Sequence, residues 1–564
     1  MQIFKIDSIN RKENNIIFQA KQTLTRAKIQ PKMDMFCKSP EIKEVLMNNF
    51  IKLRDSFTEK LYPIALKASI ADWNFYINSN DENFKVMSEA FDEYEKLWQD
   101  KNLYNEFLRL KDVELSKHEK KQLKNIIKGF EDQLNSGEDL KQLRNKENEI
   151  AQKYKSYVPK IDGKETTKAE INKILETESN PELRQKAYEA NVKGGDLIAS
   201  DLQEFAKMRN AYARTKGYSN YFEYKLKDAY EVDINELENL LEDIYSQSKD
   251  LIEIKVNENK KDLSEFFGIN NDDLKSYHYG FLTDNNPEKK VNDYLKTKEQ
   301  VVEIAKKAYK KMGYDIDKLQ QEGKLTLDLF PRKNKNTHGF CFYIESGKDA
   351  RILANLTNNT TSLDTLNHEL GHCVYTLGHS KDLPYFDKEE YPAMTEAVAM
   401  MMQDLGKREN ILDDIVYKDI LKEYKKTFVD DEVKFLTKAL TLINFEKEMY
   451  KNPDQDLKKL WRDMKVKYQM RSEKEELDNG WATIPHFLSH PAYYQNYFRA
   501  TIIKAQMYNY LTSKLGNLTE NKNTSKVLKD ELFKYGISME ENELIENMTG
   551  KKLSVEDFIK SIKD

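Results

Sequence analysis

The sequence predicts a mainly α-helical fold with one small β-sheet, and three observations lead to this prediction. Long segments repeat apolar residues every three or four positions among Glu and Lys, which is the pattern of amphipathic helices. Only 12 prolines and 19 glycines occur in 564 residues, so few positions interrupt a helix. One short region before residue 360 instead carries short apolar runs that are compatible with strands.

Three segments show the helical pattern clearly. They begin at Glu41, Glu236 and Val301 and read EIKEVLMNNFIKLRDSF, ELENLLEDIYSQSKDLIEI and VVEIAKKAYKKMGY. No linker, low-complexity segment or fixed-period repeat separates these helices from one another. We therefore expect a single domain over residues 1–564.

The strand-like region consists of three short runs. KLTLDLF begins at Lys324, HGFCFYI at His338 and ARILANL at Ala350, and the turn-like residues 346–349 separate the last two. Short apolar runs joined by turn residues are typical of β-hairpins. The sequence therefore predicts a small antiparallel sheet just before residue 360.

Composition restricts the partners and the compartment. Lys plus Arg is 91 against Asp plus Glu at 96, and no basic block stands apart, so we expect no nucleic-acid partner. No window approaches the roughly 18 consecutive apolar residues of a membrane helix. Charges interrupt every apolar run in residues 1–20, so this segment lacks the hydrophobic region of a signal peptide. The odd and scattered cysteines Cys37, Cys341 and Cys373 indicate free thiols. We expect a cytoplasmic protein without a membrane partner.

The segment TTSLDTLNHELGHCVYTLG carries the most specific motif. Thr361 and Asp364 have capping-box spacing, apolar residues follow at helical spacing, and Gly378 is a plausible end of the helix. On such a helix His368 and His372 lie on one face, one turn apart, as two zinc-binding imidazoles require. Glu369 lies beside that face, where it can act on water as a general base. A chance match on an amphipathic helix is the alternative interpretation of this His-Glu-x-x-His pattern.

A zinc site of this kind needs a third protein ligand, and several known spacings are excluded. In one known spacing the third ligand is a histidine six residues after His372, but that position is Gly378. His379 lies one residue too far along the chain, so this spacing is excluded. Spacings of 19 and 20 residues fall on Tyr391 and Pro392, neither of which can serve.

Glu396 is the candidate for the third ligand. It stands alone in the apolar run AMTEAVAMMM, where an unpaired buried carboxylate would be costly and a metal would remove the cost. The alternative is a surface glutamate that points outward. Glu389 and Glu390 lie in an acidic, loop-like stretch and are expected to be solvated.

These motifs resemble those of angiotensin-converting enzyme and its bacterial relatives and, more distantly, thimet oligopeptidase and oligoendopeptidase F. The matching features span roughly residues 70 to 500 and recur in the family's order. They are ADWNFYINSN from Ala71, His338, Gly347 to Asp349, Arg351 with Ile352, His368 to His372, KDLP from Lys381, Glu396, and IPHFLSHPAYYQNYF from Ile484.

The resemblance implies a zinc peptidase. One zinc ion per chain is expected on His368, His372 and Glu396, with Glu369 as the general base and short unstructured peptides as substrates. The implied fold is a large helical ellipsoid with a deep central substrate channel. In it, residues 1–120 would form lid helices and residues 320–500 the catalytic core with the small sheet.

The resemblance also assigns residues that act on the bound peptide. Tyr494 and Tyr497 repeat the Tyr-x-x-Tyr-Phe pattern of the catalytic tail, where tyrosines and a histidine stabilise the oxyanion. His486 is favoured as that histidine, and His490 stays open as the alternative.

Substrate contact is assigned to the strand that begins near His338. The resemblance gives this role to His338 and to the backbone from Gly339 and Phe340 onward. An exposed sheet edge can bind an extended peptide as an added strand, which supports the same assignment.

Three departures from the converting-enzyme pattern leave the mode of cleavage open. The lysine that holds the substrate's free carboxylate is Ile484 here, the chloride-linked arginine is Asn496, and the aspartate one turn after the ligand glutamate is Met400. Asp404, one turn further, is not assigned. We expect a peptidyl-dipeptidase, with an oligoendopeptidase as the alternative. An inactive peptide-binding protein is disfavoured because His368, Glu369, His372 and Glu396 are all intact, and an aminopeptidase because no acidic amine-binding motif precedes the helix.

Overall fold

The structure is a computed structural model that describes residues 40–134, 138–283, 286–336 and 338–563. Cys37 and the segment on which the expectation of no signal peptide rests lie in residues 1–39, outside the described residues. No helix in the described ranges is long and apolar enough to cross a membrane.

The mainly α-helical fold is confirmed, and the three segments singled out from the sequence lie in α1, α9 and α11. The α-helices of the described residues are α1 (Pro40–Ile77), α2 (Asp81–Trp98), α3 (Lys101–Leu108), α4 (Lys117–Leu134), α5 (Glu138–Lys155), α6 (Lys168–Thr177), α7 (Pro181–Thr215), α8 (Tyr221–Tyr224), α9 (Ile234–Phe267), α10 (Pro287–Asn292), α11 (Lys298–Lys311), α12 (Ile316–Gln321), α13 (Thr360–Leu377), α14 (Pro392–Gln403), α15 (Leu405–Arg408), α16 (Lys418–Lys451), α17 (Leu457–Gln469), α18 (Pro485–Ser489), α19 (Tyr494–Leu515), α20 (Thr524–Glu531), α21 (Glu541–Thr549) and α22 (Glu556–Lys563).

The described residues divide into two compact units. The first lies within Met1–Ile64 and Glu93–Asn135, and the second within Ala65–Asp92 and Ser136–Asp564. Both α1 and α2 run from one unit into the other. The organisation as a single domain, with its lid helices and catalytic core, stays a prediction.

Aromatic side chains form the core of the first unit. Phe57 and Trp98 meet edge to face with ring centroids 5.0 Å apart, and Phe107 lies 5.9 Å from Phe130. All four rings are buried. Edge-to-face pairs of this kind stabilise a core beyond the area that they bury.

The core of the second unit surrounds α14, which packs against both α13 and α19. A Cβ atom added at Gly371 would lie 2.8 Å from the Cα of Ala399, so only glycine permits this close approach of α13 and α14. The apolar residues buried along these helices include Leu366, Leu370, Ala397, Val398, Met401, Ala500 and Ile503. Because α14 is apolar around most of its surface, it lies at the centre of this core.

A three-stranded sheet precedes α13. Strands β4 (Phe340–Glu345) and β5 (Asp349–Leu353) form the predicted antiparallel hairpin, with Gly347 at a φ of 79° in its turn. The sheet is mixed rather than antiparallel throughout, because β3 (Leu325–Asp328) pairs with β5 in parallel. The chain passes through β4 before it reaches β5, so no local turn joins β3 to its partner. The sequence therefore did not indicate the direction in which these two strands pair.

A two-stranded hairpin was not predicted. Strands β1 (Lys160–Ile161) and β2 (Lys164–Glu165) pair across Asp162 and Gly163, both of which have positive φ. An Asp-Gly pair is the usual signal for such a turn, but strands of two residues are too short to show alternation.

The order of strands is β3-β5-β4, so β4 lies at an edge of the sheet. One face of the sheet packs against the C-terminal part of α1. There the buried ring of Trp73 contacts Ile344 and Leu353, and lies 5.3 Å from the ring of Phe342. The other face of the sheet lies against α13.

Candidate metal centre and active site

Helix α13 begins two residues earlier than the capping-box prediction. Asn359 caps it by accepting a hydrogen bond from the backbone N–H of Ser362 at 2.9 Å, so the predicted Thr361–Asp364 box is wrong. Asp364 lies inside the helix instead, where burial raises the pKa of its carboxyl to about 8. The helix ends at Gly378 as expected.

The three predicted metal ligands lie together. The Nε2 atoms of His368 and His372 are 3.2 Å apart, and Oε2 of Glu396 lies 3.6 Å and 3.8 Å from them. The two histidines follow each other by one turn of α13, and α14 crosses α13 so that Glu396 faces them.

This triangle has the size and the chemistry of a zinc site. A point equidistant from the three atoms lies roughly 2.1 Å from each, which is a normal zinc bond length. Oε2 of Glu396 is buried and has no hydrogen-bond partner. Burial lowers the pKa of His368 to about 4 and that of His372 well below its usual value, so both rings are neutral and offer lone pairs. A divalent cation would satisfy all three atoms.

Hydrogen bonds on the far side of each imidazole orient the rings. Nδ1 of His368 donates to Oε1 of Gln403 at 3.1 Å, which leaves Nε2 unprotonated toward the triangle. Nδ1 of His372 lies 2.8 Å from the hydroxyl oxygen of Thr395. Sequence reasoning missed both partners, because it looked for an aspartate at the position of Met400.

Asp404 is not one of these orienting partners. Its Oδ2 lies 2.8 Å from the ammonium group of Lys504, which also donates to Glu432 at 2.6 Å. All of these groups are largely buried, so the lysine neutralises a carboxylate pair behind the triangle.

Glu369 lies beside the triangle in a nearly dry environment. Burial and the neighbouring Glu396 raise the pKa of its carboxyl to about 8, and the backbone N–H of Cys341 on β4 donates to it and opposes the shift. A Cβ atom added at Gly339 would lie 3.4 Å from its Oε1. The carboxyl is therefore held against the edge strand, and a bound cation would lower its pKa.

Glu390 contradicts the expectation of a solvated side chain. Its side chain is 5% exposed, its Oε1 lies 3.9 Å from Nε2 of His379, and burial raises its pKa to about 7. The hydroxyl groups of Thr395 and Tyr343 oppose this shift only in part. The polar sequence around Glu390 gave no sign of this burial, because the tertiary fold places the connection before α14 against the end of α13.

The catalytic-tail residues surround the ring of His486 on α18. The ring centroid of His486 lies 4.7 Å from that of Tyr494 and 6.0 Å from that of Tyr497. Burial, together with the nearby His490 and Lys438, lowers the pKa of His486 to about 4. Its Nδ1 is buried without a hydrogen-bond partner, whereas the exposed His490 has Nδ1 2.8 Å from the hydroxyl of Ser489.

Tyr493 is a site residue that the sequence reasoning missed. Its hydroxyl donates to Oε1 of Glu396 at 3.2 Å. Burial and then the carboxylates of Glu396 and Glu369 raise the pKa of Tyr497, whereas burial alone raises that of Tyr494. Tyr493 and Tyr497 are four residues apart, which is about one helical turn. This spacing could have shown that Tyr493 lies on the same side as Tyr497, toward Glu396.

The predicted substrate-contact residues lie at the start of the edge strand. His338 is exposed and Phe340 is 37% exposed. Gly339 lies beside the carboxyl of Glu369. On the face toward α13, Sγ of Cys341 lies 3.0 Å from Sγ of Cys373, and both are free cysteines although far apart in sequence. The edge strand therefore runs directly past α13, the helix that carries His368 and His372.

Comparisons with known families agree with this geometry. The family model of peptidase family M3 matches residues 174–564, which include the triangle, Glu369 and the tail tyrosines. The family model described as angiotensin-converting enzyme matches residues 43–254. No curated protein matches the chain.

Proposed function

The chain belongs to peptidase family M3, whose members are zinc metallopeptidases, and from this premise we propose that it hydrolyses short, unstructured peptides with one zinc ion. His368, His372 and Glu396 would hold this ion. The observation that carries the proposal is their triangle of metal-binding atoms, in which Oε2 of Glu396 is buried without a hydrogen-bond partner and no lysine or arginine of the described ranges pairs with this carboxylate. Bound there, zinc would act as a Lewis acid that polarises a peptide carbonyl and makes water acidic.

Glu369 is proposed as the general base. Burial and the charge of Glu396 raise the pKa of its carboxyl, and this carboxyl lies beside strand β4, where the N–H of Cys341 donates to it. From this position it would take a proton from the attacking water and deliver it to the leaving amine. The N–H of Cys341 holds the carboxyl in place during both transfers.

Hydrogen-bond donors from α18 and α19 are proposed to stabilise the oxyanion that forms on the scissile carbonyl. Tyr497 is the strongest candidate, because its hydroxyl is protonated at neutral pH and lies close enough to Glu396 and Glu369 for both to raise its pKa. His486 would be the second donor, supported by its unpartnered Nδ1. Tyr494 packs against His486 and would position that ring.

The peptide is proposed to bind along strand β4. Among the described residues no strand pairs with the outer edge of β4, and main-chain hydrogen bonds along that edge would align an extended peptide past Glu369. His338, Gly339 and Phe340 would make the contacts. Such binding requires an unfolded segment, so the substrates would be peptides rather than folded proteins.

Release of dipeptides from the C-terminus is the proposed mode of cleavage. Cleavage of internal bonds is the alternative, favoured by Ile484, whose apolar side chain stands where a lysine would pair with the substrate's carboxylate. A panel of N-blocked and C-amidated peptides, incubated with the zinc-loaded protein, tests both modes through product masses. Loss of a dipeptide from N-blocked peptides supports the first mode, internal cleavage of doubly blocked peptides supports the second, and intact peptides would refute the function.

A further inference from the structure

Helix α18, which carries His486, is too short to hold its own position. It has five residues, whereas an isolated helix needs about 12 to 15 residues to be even marginally stable in water. A helix also leaves its last four carbonyl groups without partners inside the helix. Contacts with the rest of the protein must therefore determine where α18 and the ring of His486 lie.

Arg209 of α7 supplies such a contact. Its side chain is 3% exposed, and its guanidinium donates to the carbonyl oxygen of Phe487 at 2.9 Å and to that of Leu488. Both carbonyls lie near the C-terminal end of α18, where a positive charge also interacts favourably with the helix dipole. These two bonds fix the backbone that directly follows His486.

The guanidinium of Arg209 is itself held by three other groups. Nη1 donates to the hydroxyl of Tyr450 at 3.1 Å, Oε2 of Glu147 lies 3.4 Å from Nη2, and the ring centroid of Phe205 lies 3.9 Å from Cζ. These groups belong to α16, α5 and α7. A planar guanidinium that is bonded and stacked in this way is a rigid support, and it joins α18 to three longer helices.

The ring of His486 has no hydrogen bond of the kind that orients His368. Among the described residues its Nδ1 has no hydrogen-bond partner, and the rings of Tyr494 and Tyr497 pack near it. Ring packing limits rotation of the imidazole but provides no directional bond. The position of the imidazole therefore depends on the backbone of α18.

Separate contacts hold the start of α19. The N–H of Ala492 donates to Glu446 at 2.9 Å, and the hydroxyl of Tyr230 donates to the carbonyl oxygen of Pro491 at 3.3 Å. Arg209 takes part in neither hydrogen bond. Loss of Arg209 should therefore displace α18 and leave α19 with its tyrosines in place.

We propose that Arg209 is a positioning residue of the peptidase, whose guanidinium holds α18 so that the ring of His486 can donate to the oxyanion. This inference rests on the proposed peptidase function. Arg209 would act through the backbone of α18 and not on the peptide itself. Because the oxyanion forms only as the carbonyl is attacked, a misplaced donor slows the reaction without weakening peptide binding.

The test is a double-mutant cycle on kcat, with KM measured alongside, for the zinc-loaded protein and an N-blocked peptide. It compares the wild type, Arg209→Met, His486→Ala and the variant that carries both substitutions. Thermal unfolding checks that each variant is folded. Arg209→Lys keeps the charge and one donor, should lose only part of the rate, and takes the place of Arg209→Met in the cycle if the methionine variant does not fold.

Arg184→Met is the matched control. Arg184 is another buried arginine of α7, and its guanidinium donates to the carbonyl oxygens of Tyr277 at 2.8 Å and of His278 at 3.2 Å. It precedes Arg209 by about seven turns of the same helix, or about 37 Å along its axis. The control therefore loses the same kind of bonds far from Arg209, so it should lower stability and keep the wild-type kcat.

We expect Arg209→Met to lower kcat by about 10- to 100-fold with little change in KM, as a displacement of about 1 Å in a reacting group does. His486→Ala should lower kcat by about 10²-fold. In the His486→Ala background, Arg209→Met should have little further effect, because the ring through which it acts is gone. Equal losses with and without this ring would overturn the proposal, as would a wild-type kcat in folded Arg209→Met. No hydrolysis by the wild type would instead refute the peptidase function.

Discussion

Oε1 of Gln403 accepts a hydrogen bond from Nδ1 of His368 at 3.1 Å, on the side of the ring that faces away from His372 and Glu396. This bond determines which ring nitrogen is free for a metal. Gln403→Leu should therefore weaken zinc binding by about 10- to 100-fold, as measured by competition with a chromogenic chelator. Gln403→Glu keeps an acceptor oxygen and should retain most of the affinity. Unchanged affinity in the leucine variant would show that the ring needs no such support.

Glu396→Gln should abolish stoichiometric zinc binding. The substitution keeps the shape of the side chain but removes the negative charge that closes the triangle with the two imidazoles. Zinc content after dialysis, measured by atomic absorption, should fall from one ion per chain to a small fraction. Glu390→Gln is the matched control, since it alters another buried carboxyl in the connection just before α14 and should keep its zinc. Full zinc content in Glu396→Gln would exclude Glu396 as a ligand.

Glu369→Gln should retain zinc and lose activity. An amide cannot accept a proton from water, and loss of a general base costs about 10²- to 10⁴-fold in rate. Peptide hydrolysis and zinc content measured on the same preparation separate the two effects. Glu389→Gln, at an exposed position, should remain fully active. If the glutamine variant hydrolysed peptides at the wild-type rate, another group would be the base.

The grouping of the three candidate metal ligands was predictable because each residue depends on local sequence. His368 and His372 follow from the helical period, and Glu396 from a solitary acid in an apolar run. The hairpin of β4 and β5 follows in the same way from two short apolar runs and a turn. In each case the signal lies within about one turn or one strand of the residue concerned.

Residues that act through tertiary contact were not predictable. Gln403 and Tyr493 reach the triangle only because α14 and α19 cross α13 at particular positions, which no local pattern specifies. Glu390 is buried because a polar connection folds against the end of α13.

Tyr497→Phe and Tyr493→Phe should have different effects. Removing the Tyr497 hydroxyl should lower kcat by about 10²-fold with little change in KM, because an oxyanion donor acts mainly in the transition state. Removing the Tyr493 hydroxyl breaks its bond to Glu396 and should chiefly weaken zinc binding. Tyr510→Phe on the same helix, whose hydroxyl donates to Glu531 at 2.6 Å, serves as the control. A normal kcat in Tyr497→Phe would remove this residue from the mechanism.

Glu446 offers a pH-dependent prediction away from the metal triangle. Its side chain is 1% exposed on α16, and its Oε1 accepts a hydrogen bond at 2.9 Å from the N–H of Ala492. Ala492 has a φ of 59°, in the left-handed region, and directly precedes Tyr493. The carboxyl therefore holds the backbone from which the tail tyrosines begin.

Stability should fall as pH rises, and Glu446→Gln should reduce the fall. Burial raises the pKa of Glu446 to about 8 in the folded protein, against about 4.3 in the unfolded chain. Between these values the folded state keeps a proton that the unfolded state has lost, so the free energy of unfolding decreases with pH by up to about 1.4 kcal/mol per unit. Glutamine keeps the acceptor oxygen but cannot ionise, so the variant should match the wild type near pH 4 and exceed it at pH 8. Urea unfolding at intervals across this range measures the difference, and parallel profiles would show that Glu446 does not ionise with a raised pKa.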